Sequence, residues 1–154
     1  MASHIRPFIF LLAVLGGISF PLTAIGSSNS KLTIEINGLK NRNGQVCLSL
    51  FANGQGFPDQ GANALQKKCV SITETPLLVS FDGLQSGNYA VAVLHDVNAD
   101  GKANRNFLGI PTEGFGFSNN PRVRFSAPNF NQTAVAVAGT DTNIQIRLQY
   151  MLGN

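Results

Sequence analysis

The chain has 154 residues, of which 12% are charged, and its formal net charge is +3 at pH 7. This length suits one domain with a sizeable core. The basic residues are scattered, with only Lys67 and Lys68 adjacent, so the basic cluster that a nucleic-acid-binding surface needs is missing from the sequence. Sparse charge and 16 glycines are typical of a turn-rich β-protein rather than of a helical bundle.

Residues 1–26 have the organisation of a secretory signal peptide. A short segment with one arginine precedes an apolar run at 8–20, and small residues follow at 24–26. The run is shorter than the roughly 20 residues of a transmembrane helix, although an uncleaved anchor is the alternative. We therefore expect an exported protein, periplasmic or extracellular, with one domain over residues 27–154 and no membrane span after cleavage.

Seven runs of the sequence alternate apolar and polar residues, which is the period of a half-buried β-strand. These runs are 31–37, 45–51, 68–73, 77–82, 88–96, 133–138 and 142–150. Turn residues at 41–44 predict that the first two runs form a β-hairpin, and one helical turn is expected within 62–67. Seven short strands predict an all-β fold, an antiparallel β-sandwich.

Cys47 and Cys69 raise the question of a disulfide in an exported chain. In each predicted strand the apolar neighbours of the cysteine point to one face and the cysteine points to the other, so both sulfur atoms point away from the predicted core. Because both cysteines point to the same side, they can form a bridge if the two strands are neighbours. We predict this disulfide rather than two free thiols. Closing a loop of about 20 residues stabilises a fold by roughly 3 kcal/mol in the chain-entropy model.

Residues 97–132 form a connection too long for an ordinary loop in a small domain, so it should be functional or folded on itself. It contains the apolar residues Phe107, Leu108, Ile110, Phe115 and Phe117. In one interpretation these side chains form a small core beneath the loop. In the other they present an apolar face to a protein, a lipid or a polymer.

The start of this loop has the spacing of a calcium-binding loop. Short oxygen-bearing side chains recur every second residue, and Gly101 follows where a tight reversal needs positive φ. The candidate ligands are Asp96, Asn98, Asp100, the Lys102 carbonyl and Asn104. Calcium is therefore the one candidate cofactor of the chain.

The calcium hypothesis departs from the usual pattern at the twelfth position, where the bidentate carboxylate is replaced by Phe107. An ion would need Glu113 folding back, a backbone oxygen or water to complete its coordination. The alternative is an Asx-rich turn whose side chains cap their own backbone without metal.

A hydrolase site is the second hypothesis, with His95, Glu113 and Ser118 as its candidate residues. His95 and Asp96 are adjacent on a predicted strand, so their side chains leave opposite faces and cannot readily form a proton relay. No nucleophile-elbow motif surrounds Ser118. We expect His95 instead to be a buried group that hydrogen-bonds to the long loop.

Several motifs together resemble the bacterial family catalogued as domain of unknown function 2141. They are Gly38-Leu39, Asn43-Gly44-Gln45-Val46, Gly56-Phe57 and the run GLQSGNYAVAVLHDVNADGKANRNFLGIPTEGFGFSNN. The resemblance covers about residues 32–150. The GLQSGNY segment is also similar to a turn of prealbumin-like sandwiches, which implies a prealbumin- or immunoglobulin-like exported module without an established activity.

We interpret the chain as an exported, non-enzymatic β-sandwich module that binds an unidentified protein or envelope component through the 96–120 loop. The candidate binding residues are His95, Glu113, Phe115 and Phe117. A secreted hydrolase is the alternative function. We expect a monomer and no nucleic-acid partner.

Overall fold

The computed structural model describes residues 29–152, so the predicted signal peptide lies outside the described residues. Eight β-strands and two short helical segments occur within this range. The strands are β1 (Ser30–Asn37), β2 (Gln45–Phe51), β3 (Gln66–Ser71), β4 (Leu77–Leu84), β5 (Gly87–Asp96), β6 (Gly114–Phe117), β7 (Val135–Val137) and β8 (Asp141–Arg147). A 3-10 turn spans Gly61–Asn63, and the helix α1 spans Phe130–Thr133.

The strands form two sheets, which confirms the predicted β-sandwich. One sheet has the order β4-β1-β8, and the other has the order β3-β2-β5-β6 with β7 also paired to β5. The fold is not wholly antiparallel, because β1 and β8 pair in parallel with Ile34 opposite Ile144. The predicted count of seven is one too low, because β6 lies inside the predicted 97–132 connection.

The predicted hairpin of β1 and β2 is wrong. β1 pairs with β4 and β8, whereas β2 pairs with β3 and β5, so the 38–44 connection crosses from one sheet to the other. Both strands carry the same alternation, and alternation specifies the buried face of a strand but not its partner. A connection of this length can cross the sandwich, whereas a two-residue turn could not.

The core lies between the two sheets and consists of the apolar residues of one parity on each strand. Its fully buried members include Leu32, Ile34, Ile36, Val46, Leu48, Leu50, Phe81, Val91 and Ile146. These are the positions that the alternating pattern assigned to the inner face. The sequence period therefore predicted the core correctly.

The strands at both sides of the sandwich are linked across the gap between the sheets. On one side, the Lys68 ammonium of β3 donates to the Ser80 carbonyl of β4, and Gln66 Nε2 donates to the Asp82 carbonyl at 3.0 Å. On the other side, Phe115 of β6 and Gln149 exchange two backbone hydrogen bonds of 3.0 and 2.7 Å. These bonds cover carbonyl groups that an open edge would expose to other chains.

The disulfide between Cys47 and Cys69 is present, as the sequence predicted. The two cysteines face each other in the β2–β3 pair, and they are 22 residues apart in the chain. The bridge therefore ties the edge strand β3 to the sheet that carries the long loop. No helix within residues 29–152 is both long enough and apolar enough to cross a membrane.

Candidate functional site

Asp96, the last residue of β5, anchors the start of the long loop. Its carboxylate is fully buried and accepts hydrogen bonds from the backbone N–H groups of Asp100 (3.1 Å) and Gly101 (2.9 Å). The side chain of Gln45 on β2 donates a third hydrogen bond to it, at 2.9 Å. Asp96 thus closes the first turn of the loop as an Asx-type cap.

Glu113 is a second buried carboxylate and anchors the end of the same loop. Its Oε1 accepts the Val97 N–H at 2.9 Å, and its Oε2 accepts the Asn104 N–H at 3.1 Å. Glu113 therefore does fold back on the loop, which was one of the three ways to complete a calcium site, but the atoms that it contacts are backbone donors. Through Val97 N–H, Glu113 therefore joins the two ends of the 97–113 loop, while Asp96 closes its first turn.

The remaining candidate metal ligands form a chain of turns at the surface. The exposed Asp100 carboxylate accepts the Lys102 N–H at 2.8 Å and the Asn98 Nδ2 at 3.0 Å. The Lys102 N–H holds the pKa of the Asp100 carboxyl below its ordinary value of 3.8. Within residues 29–152, no three His, Cys, Asp or Glu side chains are grouped so that they could hold a metal ion. The geometry has the features of the metal-free Asx turn, and calcium binding by Asp96, Asn98, Asp100, Lys102 and Asn104 stays a prediction.

His95 is fully buried, and both of its ring nitrogens are hydrogen-bonded. Its Nε2 lies 3.0 Å from the Asn43 carbonyl oxygen and its Nδ1 lies 2.8 Å from Tyr150 Oη. Because a carbonyl only accepts, Nε2 carries the proton, and Nδ1 accepts from the Tyr150 hydroxyl. The prediction of a buried, hydrogen-bonded histidine is confirmed, but its partners are the 41–44 turn and the segment after β8 rather than the long loop.

The structure does not bring the candidate hydrolase residues together. Ser118 is fully buried, where its hydroxyl donates to the Thr133 carbonyl at 2.5 Å and accepts the Val91 N–H at 2.9 Å. Val91 precedes His95 by four residues on β5, a distance of about 13 Å along a strand. Ser118 therefore joins β5 to α1, and it has no contact with the imidazole.

Phe115 and Phe117 lie on the outer face of the five-stranded sheet, within an aromatic cluster. Phe117 and Phe57 have ring centroids 6.0 Å apart, and Phe57 also packs against Phe51 at 5.2 Å and Phe130 at 6.2 Å. Phe115 lies 5.9 Å from Phe117. The predicted small core beneath the loop is therefore wrong in part, because Phe117 packs against Phe57 from outside the loop while Phe107 and Leu108 are exposed.

Residues 104–112 form a compact hairpin, which we call the 104–112 hairpin. The Asn106 side chain accepts the N–H groups of Leu108 and Ile110, each at 3.0 Å. Backbone bonds of 2.9 Å also join Asn106 to Ile110 and Thr112 to Asn104. At the tip, Phe107 is 94% exposed and Leu108 is 67% exposed. The hairpin therefore holds two apolar side chains in solvent on a hydrogen-bonded turn.

The bacterial family described as "Uncharacterized protein conserved in bacteria (DUF2141)" has a family model that matches residues 34–145. The chain belongs to this family. The match confirms the resemblance. The matched residues of this DUF2141 chain include the buried carboxylates Asp96 and Glu113 and the 104–112 hairpin. No curated protein and no solved structure matches the chain.

Sequence reasoning missed three residues that shape the site of this DUF2141 protein. The sequence does not indicate that Tyr150 hydrogen-bonds to His95, although Tyr150 is the last aromatic residue of an alternating run. Asn106 was not assigned a role, although an asparagine three residues before a glycine is a turn signal. Phe125 is 99% exposed, and no periodic pattern marked it as a surface residue.

Proposed function

We propose that this chain is an exported, non-enzymatic binding module that engages a component of the bacterial envelope through the 96–120 loop. The exposed Phe107 at the tip of the 104–112 hairpin carries the proposal. The Cys47–Cys69 disulfide and the apolar run at 8–20 support export, because disulfides persist in oxidising compartments.

The hairpin suits binding because its conformation is set before any partner arrives. Asn106 fixes the tip, and the Arg105 guanidinium donates to the Gly109 carbonyl at 3.1 Å across the turn. Glu113 and Asp96 hold the base of the loop. Since little backbone freedom remains to be lost, burial of Phe107 against a partner would contribute most of its apolar transfer free energy to affinity.

The hydrolase alternative receives no support from the geometry. His95 is sealed by Tyr150 and Asn43, and Ser118 lies at the other end of β6. A depression of about 410 Å³ is lined by residues of the three-stranded sheet, including Glu35 and Leu78, and holds none of the candidate residues. We therefore assign the binding role to the apolar tip.

Site-specific photo-cross-linking in growing bacteria tests the proposal. A photoreactive phenylalanine analogue is placed at position 107, and the matched control carries it at position 78, where Leu78 is 56% exposed on β4. We expect an adduct with an envelope component at position 107 only, on a chain whose N-terminus has been cleaved near residue 26. Equal labelling at both positions, no labelling at either, or an uncleaved chain would contradict the proposal.

A further inference from the structure

We infer that the envelope partner is the surface of an anionic lipid bilayer, into which Phe107 and Phe125 insert while neighbouring arginines contact lipid phosphates. The inference rests on the proposed function and names its partner. It is carried by the exposure of two aromatic side chains and by the sign of the charge around them.

Phe107 and Phe125 are the two most exposed aromatic side chains among residues 29–152, at 94% and 99%. Phe107 projects from a hydrogen-bonded hairpin, and Phe125 follows a stretch that is hydrogen-bonded to the sandwich. The 104–112 hairpin is fixed as described above, and the stretch before Phe125 is held by Gln149, whose Nε2 donates to the Pro121 carbonyl at 2.9 Å. Five other phenylalanines of the described chain are packed in the aromatic cluster, so exposure of these two is selective.

The charge next to these two rings is positive. Arg105 precedes Phe107 by two residues, and Arg124 directly precedes Phe125. Over residues 97–128 the exposed cations are Lys102, Arg105, Arg122 and Arg124, whereas the only exposed carboxylate is that of Asp100. Asp59 neutralises part of this excess, since its carboxylate lies 3.8 Å from Arg105. The 97–128 segment nevertheless has an excess of exposed positive charge, and an arginine lies within two residues of each of the two rings.

This combination fits a lipid surface better than a protein surface. Apolar side chains with adjacent cations are the means by which peripheral proteins reach the boundary between headgroups and acyl chains, and each cation adds attraction to anionic lipids. The core of a protein interface is a packed, contiguous patch of largely apolar side chains. Here Phe107 and Phe125 stand on separate segments, each directly beside a cation.

Sedimentation with lipid vesicles tests the inference. The full sequence is expressed in a bacterium, and the oxidised protein recovered from the exported fraction is mixed with phosphatidylglycerol or phosphatidylcholine vesicles. We expect binding to phosphatidylglycerol that weakens with added salt, and a Phe107→Ser variant should lose about tenfold in partition coefficient. Phe125→Ser and the double variant Arg105→Gln, Arg124→Gln should weaken binding similarly.

Leu78→Ser is the matched control, because it removes an exposed apolar side chain from the outer face of the other sheet. It should bind vesicles as the unaltered protein does, and equal melting temperatures of all variants show that they are folded. Absent vesicle binding, or equal loss in Leu78→Ser, would overturn the lipid inference. If a protein adduct still forms at position 107 in cells, the proposed function survives that result. If no adduct forms either, both fail.

Discussion

The imidazole of His95 and the hydroxyl of Tyr150 form a hydrogen bond of 2.8 Å that joins the end of β5 to the segment after β8. It belongs to a directional series in which the Lys40 N–H donates to Tyr150 Oη at 3.2 Å, Tyr150 donates to His95, and His95 donates to the Asn43 carbonyl. A buried imidazole with both nitrogens occupied fixes the end of β5 from which the long loop departs. His95 therefore has a structural role in the site.

Tyr150→Phe should destabilise the fold by about 1–3 kcal/mol, because it leaves the buried Nδ1 of His95 without a donor. Tyr89→Phe is the control. Its hydroxyl donates to the Gln85 carbonyl at 2.9 Å, and Gln85 is exposed, so water can replace the lost bond. Urea unfolding of both variants measures the difference. An equal loss in the free energy of unfolding of the two variants would mean that the hydrogen bond to His95 stabilises the fold no more than an exposed hydrogen bond does.

Stability should fall at alkaline pH through Tyr150. Burial raises the pKa of the Tyr150 hydroxyl above its ordinary value of 10.0, against an opposing effect of the Lys40 N–H. Because the folded state binds this proton more tightly, the stabilisation is complete below the unfolded pKa and is lost as pH rises through the folded pKa.

Denaturant unfolding between about pH 9 and about pH 11 checks this expectation. The free energy of unfolding should decline less steeply with pH in Tyr150→Phe than in the unaltered chain. Parallel declines in the two proteins would assign the alkaline loss of stability to other groups.

Gly44 and Gly109 offer a matched pair for testing how tightly the 41–44 turn contacts the start of the loop. Both have positive φ, at 71° and 76°. A Cβ at Gly44 would lie 2.1 Å from the Asp96 carbonyl oxygen, whereas a Cβ at Gly109 would meet nothing within 4 Å. Gly109→Ala should therefore cost only the left-handed backbone term, about 1–2 kcal/mol.

Gly44→Ala should cost at least about 2 kcal/mol more than Gly109→Ala, since the backbones of two segments must separate. Thermal unfolding followed by circular dichroism measures both variants. A Gly44→Ala protein as stable as Gly109→Ala would show that the two backbones do not approach as closely as described.

The hydrogen bonding of the loop favours the metal-free Asx turn over the calcium hypothesis, and the Asx turn predicts that calcium leaves the melting temperature unchanged. The carboxylate oxygens of Asp96 and Glu113 already accept backbone N–H groups, so an ion would have to displace those donors. The measurement compares the protein in EDTA with the protein in millimolar calcium, and Asp100→Ala is the matched variant. A rise in melting temperature that Asp100→Ala abolishes would establish the calcium hypothesis instead.

The alternating pattern predicted most of the fold because burial on one face of a strand imposes a period of two on its own residues. Leu32, Ile34 and Ile36 show this, and so does the parity that allowed Cys47 to meet Cys69. β6 escaped prediction for a related reason. Its inward positions are Gly114 and Gly116, where the Tyr150 ring and Ile146 occupy the space that side chains would need, so no inward apolar residue marks the strand.

The candidate site was predicted in part. The spacing of Asp96, Asn98 and Asp100 correctly indicated a tight turn, because Asx side chains cap backbone two to five residues away, which is a local interaction. The sequence did not predict that the Glu113 carboxylate accepts the Val97 and Asn104 N–H groups. These contacts form because Glu113 returns across the loop, and local spacing does not encode that return.

Local chemistry thus establishes which residues of this DUF2141 protein turn, alternate and prefer burial, since those preferences act over a few neighbouring positions. The pairing of β1 with β8, the contact of His95 with Tyr150 and the separation of Ser118 from His95 come from the packed structure. The packed structure also decides that Phe117 is buried while Phe107 is exposed. Each depends on residues distant in the chain, whose proximity arises only when the two sheets close on a shared core.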